Sequence, residues 1–108
     1  MTGKEIANNL RNSKEAWTTG VLASIEELGE KPAFCVLGLK LYEAGIPLEE
    51  LINTEEPNCN FPPILGSLMQ LNDLSVDKDA LIYQLDSNTW KDVDFPIEEL
   101  VESLKKHA

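Results

Sequence analysis

The stretch Phe34-Cys35-Val36-Leu37-Gly38-Leu39-Lys40-Leu41-Tyr42 carries one charge in nine residues and constrains the fold of this chain more than any other segment. A helix that is apolar on nearly every face has to be buried on nearly every face. Pro32, just before it, suits a first helical turn, where the missing N–H would have no partner anyway. Gly45, just after it, suits the left-handed residue that closes a helix. The expectation is a central helix over about residues 33–44, wrapped by other helices. Gly38 in its middle costs about 1 kcal/mol relative to alanine. Close approach of another helix compensates for that cost, with Trp17 and the Val21-Leu22 pair as the candidates for the contact.

The flanking segments read as shorter helices. Thr2 and Glu5 have the spacing of a capping box. Ile6, Leu10, Trp17, Val21, Ile25 and Leu28 then keep to one helical face, which predicts one long helix, or two joined near Asn12-Ser13, ending at Gly29. Ile46-Pro47-Leu48-Glu49-Glu50-Leu51-Ile52 reads as a short helix with proline in its first position. Residues 53–63 hold three prolines and three asparagines and read as an irregular loop. Within that loop Phe61 is either a lid on the core or an exposed contact. Ile64, Leu65, Leu68, Met69 and Leu71 form a helix ending around Asn72-Asp73. Ser75 or Asp77 caps the next one, with Leu81, Ile82 and Leu85 inward. Ile82-Tyr83 is β-prone, so a short strand near 81–85 is the local alternative. A last helix runs from about Phe95 to Lys106 with Ile97, Leu100, Val101 and Leu104 as its buried stripe. The fold class expected is all-α: residues 1–108 as one compact domain of about five to six helices.

Charge bears more directly on function. The formal net charge is −10, and it is uneven: from residue 41 to 104 fourteen acids face only Lys78 and Lys91, a net of −12. Direct nucleic-acid binding is disfavoured, because neutralising phosphates takes clustered Lys and Arg. A basic protein surface is attracted instead. No apolar run approaches the roughly 20 residues of a membrane span, and the first residues lack the layout of a signal peptide. A soluble cytoplasmic protein is therefore expected, with Cys35 and Cys59 as reduced thiols. Cys35 reads as a small hydrophobe inside the central helix, and Cys59 as the more exposed thiol.

Motifs that carry chemistry are scarce. Asp73, Ser75, Asp77 and Asp79 alternate as in a calcium loop, as do Asp86, Asn88, Asp92 and Asp94. Neither run has the sixth-position glycine, where Lys78 and Lys91 stand, nor the twelfth-position acid, where Gln84 and Ile97 stand. The six glycines are isolated, which excludes a phosphate loop. His107 is the only histidine, and no Cys, His and acid set has metal-ligand spacing. The reading is a protein without catalysis, metal or cofactor. Trp90, between polar neighbours, either folds back over a small core, the commoner case, or anchors a partner.

The order of Trp17, Cys35-Val36-Leu37-Gly38, Leu71-Asn72-Asp73 and an aspartate turn before an amphipathic helix resembles a family of small uncharacterised helical proteins of bacteria and phages. That family pairs a Cys-x-x-Gly helix with a later Asn-Asp turn. This chain departs from it in its acidity and in the loop at 53–63. The resemblance implies a helical fold, an origin in a mobile element, and packing roles for Cys35 and Gly38; it implies no mechanism.

The function expected is that of an acidic protein–protein interaction module, in its sharper form a phage or mobile-element inhibitor bound to a basic, nucleic-acid-binding surface. Its candidate partner-binding residues are Phe61, Trp90, Asp92, Asp94, Glu98, Glu99 and Glu102. The alternative is a small-molecule or nucleotide binder with a pocket lined by Tyr42, Tyr83 and Trp90.

Overall fold

A computed structural model of the chain describes residues 1–25, 31–52 and 62–106. In chain order these form α1 (Gly3–Asn12), β1 (Ala16–Trp17), β2 (Ala23–Ser24), β3 (Ala33–Phe34), α2 (Val36–Glu43), α3 (Leu48–Leu51), α4 (Pro63–Leu74), α5 (Lys78–Leu85) and α6 (Ile97–Lys106). The three strands make one small mixed sheet in the order β1-β3-β2, with β1 parallel and β2 antiparallel to β3. The fold is thus α+β, and the all-α expectation is overturned by this sheet. Each strand is two residues long, too short for an alternating pattern to show in the sequence. The one-face spacing of Trp17, Val21 and Ile25 is coincidental. Gly20 takes a φ of +83°, which leaves the helical region altogether. Among the described residues no helix is long and apolar enough to cross a membrane.

The central helix is real but begins later than expected. Ala33 and Phe34 are the middle strand, so Pro32 precedes a strand and not a helical turn. Cys35 is the residue that caps α2, and its Sγ accepts the Gly38 N–H at 3.2 Å. Val36, Leu37, Gly38, Leu39, Lys40 and Leu41 are all buried. They pack against α3, α4, α6 and β3, which is what an all-round apolar helix requires. Gly45, at φ +106°, closes the helix as expected.

The compensation at Gly38 comes from a strand-like backbone and not from a helix. The Cys35 N–H donates to the Leu22 carbonyl at 3.1 Å. That carbonyl oxygen lies 1.9 Å from where a β-carbon on Gly38 would stand. Leu22 is one of the residues expected at this contact; Trp17 meets a different partner, described below.

The remaining elements follow their local signals with small shifts. Thr2 and Glu5 form the capping box of α1. That helix packs on α5, and Gly3 admits the Trp90 and Leu85 carbonyls to its flank. Met1, Gly3 and Lys4 are hydrogen-bonded along the backbone to Phe95, Val93 and Lys91. Pro47 is the cap of α3 and not its first residue. Pro63 opens α4, so the loop expected at 53–63 loses its last residue to the helix. Most of that loop, with Cys59 and Phe61, lies outside the described residues, as do Leu28 and Gly29. Asp77 caps α5, which runs unbroken through Ile82 and Tyr83, so the strand alternative near 81–85 is excluded. In α6, Ile97, Leu100 and Val101 are buried and Leu104 packs partly against the core.

Two glycine substitutions separate these causes. Gly38→Ala forces the Leu22 backbone to move and should destabilise the fold by about 2–3 kcal/mol, as overpacking of a tight site does. Gly66 lies within α4, and nothing stands within 4 Å of the place a β-carbon on it would occupy, so Gly66→Ala should stabilise by about 0.5–1 kcal/mol. Urea unfolding midpoints of the two variants check both signs.

Candidate functional site

Asn72 orients the helix on which the site is built. It is fully buried in the last turn of α4, where the sequence suggested a turn. Its Oδ1 accepts from Trp17 Nε1 at 2.8 Å and from the Val36 N–H at 2.9 Å. Its Nδ2 donates to the Thr18 carbonyl at 3.1 Å and to Asp73 Oδ1 at 3.3 Å. Asp73 Oδ1 also accepts the Gly20 N–H at 3.0 Å. All four bonding positions of the amide are therefore used, including one that takes an orphan donor at the start of α2.

With Asn72 inward beside Leu65, Leu68 and Met69, the opposite stripe of α4 must face out. That stripe is Ser67, Gln70 and Leu74, flanked by Leu71, which is half-buried and packs partly against the core, so it is not uniformly polar. Leu74 is 75% exposed, Val76 in the following turn 88%, and Tyr83 on α5 76%. Two hollows open on this face. One, of about 360 Å³, is lined by Leu71, Leu74, Ser75, Val76, Ala80 and Gln84. The other, of about 180 Å³, is lined by Ser67, Gln70, Leu71, Leu74 and Trp90. Leu71 and Leu74 line both, so the two form one apolar surface. Trp90 is half-buried and stacks on Phe95, with ring centroids 6.0 Å apart. One side of the indole thus covers the core while another reaches the hollow. Asp73, Asp77 and Asp79 are exposed along the same two helices. Asp77 accepts the Ala80 N–H as the α5 cap, so this acidic run has structural work in addition to its charge.

The other residues expected to bind a partner lie elsewhere. Asp92, Asp94, Glu98, Glu99 and Glu102 are all exposed. The Met1 amine pairs with Asp94 at 3.2 Å and with Glu98 at 3.5 Å. Asp92, Glu99 and Glu102 form no ion pair among the described residues. Glu98 and Glu102 line a cleft of about 460 Å³ with Lys40, Glu43, Ile97 and Val101. The three aromatic residues of the alternative pocket do not share a hollow in this way. Tyr42 stacks on Phe34 at 4.9 Å and lines a cleft with Leu39, Asn12 and Glu15, whereas Trp90 lines the hollow on α4. Among the described residues no group of three His, Cys, Asp or Glu is placed to hold a metal ion.

Lys40 is the residue whose setting was least legible in the sequence. Its side chain is only 4% exposed, and Nζ lies 3.4 Å from Glu43 Oε1. Burial pushes the ammonium pKa below its ordinary 10.5, against the opposing pull of Glu43.

Comparison with protein-family models, with curated proteins and with solved structures finds no match to this chain.

Two variants test the packing around the site. Asn72→Leu leaves the buried Val36 N–H and the half-buried Trp17 Nε1 without their acceptor, and should cost about 2–3 kcal/mol of stability by urea unfolding. For Lys40, the folded pKa lies below the unfolded one, so the unfolded state holds more protons between the two values. Stability attributable to this residue is therefore lowest near neutral pH and rises as pH climbs toward 10.5. Lys40→Met should raise the melting temperature at pH 7 and flatten that alkaline rise.

Proposed function

We propose that this chain is an acidic protein–protein interaction module whose working surface is the α4–α5 face. The observation that carries the proposal is that Leu74, Val76 and Tyr83 are exposed on these two helices, with the half-buried Leu71 and Trp90 lining the hollows beside Leu74. Clustered exposed apolar groups mark contact surfaces. The rim of Trp90 supplies an anchor of the type that dominates interfaces, with Leu71 and Leu74 as the apolar surface beside it.

The charge distribution specifies the partner. Asp73, Asp77 and Asp79 give this face exposed negative charge, within a segment, residues 41–104, whose net charge is −12. It favours a basic, amphipathic segment whose apolar stripe seats on Leu71, Leu74 and Val76 while its Lys and Arg side chains meet the carboxylates around them. In this arrangement Asp92, Asp94, Glu98, Glu99 and Glu102 steer the approach at long range. The same field supports the sharper form, in which the module occupies a nucleic-acid-binding groove on behalf of a phage or mobile element; duplex DNA would then compete for the partner.

Titration of the protein with a Lys- and Leu-patterned amphipathic peptide tests the surface, read by Trp fluorescence or calorimetry. The paired change Leu74→Ser and Val76→Ser should weaken binding about tenfold or more, which corresponds to about 1.4 kcal/mol. It should leave the unfolding midpoint unchanged, because both side chains are exposed. Affinity should also fall with added salt. Equal binding by the variant and the parent would refute the proposed face.

A further inference from the structure

We propose that the cleft bounded by α2 and α6 is a binding site for an aliphatic α-amino acid in its zwitterionic form. The cleft shares no lining residue with the hollows of the α4–α5 face, so this inference stands independently of the interaction surface. Its volume of about 460 Å³ falls within the range of small-ligand sites. Ile97 and Val101, both buried, and Ala44 give it an aliphatic wall.

The polar groups on the rest of the wall are of both signs. Lys40 has three N–H donors, and among the described residues its only hydrogen-bond partner is Glu43. An ammonium group buried to this extent needs more partners than one carboxylate at 3.4 Å. Lys105, also on the wall, places its Nζ 3.8 Å from where a β-carbon on Gly45 would stand, beside the end of α2. Glu102 precedes Lys105 by three residues on α6, a spacing that permits a pair. Yet neither is ion-paired with a described side chain, and Glu98 is already held by the Met1 amine.

The ligand class follows from this mixture. A simple anion would meet Glu43, Glu98 and Glu102 as well as the lysines. A simple cation would meet Lys40 and Lys105 as well as the acids. A molecule with a carboxylate and an ammonium on one carbon, and an apolar side chain, answers both signs together. Its carboxylate accepts from Lys40 and Lys105, its ammonium donates to Glu102, and its side chain lies on Ile97 and Val101.

The test is calorimetric titration with L-leucine, L-leucinamide and N-acetyl-L-leucine up to about 10 mM, a range that fills even a millimolar site. L-leucine should bind, and each analogue, lacking one charge, should bind at least tenfold more weakly. Lys40→Met should abolish leucine binding, with thermal melting confirming that the variant is folded, and Glu102→Gln should weaken it. The inference is overturned if none of the three compounds binds, if either analogue matches leucine, or if folded Lys40→Met binds leucine as the parent does.

Discussion

The carboxamide of Asn72 is the interaction on which the arrangement of this protein depends. A single buried side chain joins the indole of Trp17 in β1, the first N–H of α2 and the carbonyl of Thr18, and it does so from the last turn of α4. A buried amide with four partners is stable only in one orientation, because a rotation of the helix by one residue would leave several of them unsatisfied. The rotation of α4 is therefore fixed, and with it the exposure of Leu74 and the half-burial of Leu71. Fold and proposed working surface have one cause.

The Cys35 to Gly38 turn performs the complementary task on the other side of α2. The thiol replaces the usual hydroxyl or carboxylate cap, and the missing side chain at Gly38 lets the Leu22 carbonyl lie against the helix. The Cys-x-x-Gly spacing thus has a physical content: one residue ends the strand and caps the helix, and the other admits the neighbouring backbone. Trp17, Cys35, Gly38, Asn72 and Asp73 look like separate short motifs in the sequence. They converge on the junction between the sheet and α2, which accounts for them as packing and capping residues.

Much of this was legible where the signal is local. The Thr2–Glu5 box, the Asp77 cap, the Gly45 terminator and the stripe of α6 each depend on residues within a few positions of one another, and each stands where the sequence put it or within a residue or two. The sheet was not legible, because two-residue strands have no periodicity and their stability comes from pairing partners distant in the chain. Asn72 misled for a related reason. Asparagine followed by aspartate favours turns, and only tertiary partners for all four of its amide positions make it tolerable inside a helix. For the surface, the acid excess and the unusual placement of Trp90 were visible in the sequence. The outward Leu74 and the half-buried Leu71 were not, since the sequence of a leucine-rich helix does not say which of its leucines face the core. Lys40 stood out only as the lone charge in an apolar run, and the cleft it lines depends on α6, which follows it by more than fifty residues.

The central claim is that the apolar α4–α5 face, and not the acidic patch on 92–102, makes the contact, and hydrogen–deuterium exchange of the protein with and without bound amphipathic basic peptide tests it most directly. The account predicts slowed exchange in residues 70–76, 80–85 and around Trp90, with α6 unchanged. Protection confined to residues 92–102, with the α4–α5 face exchanging as in the free protein, would contradict it.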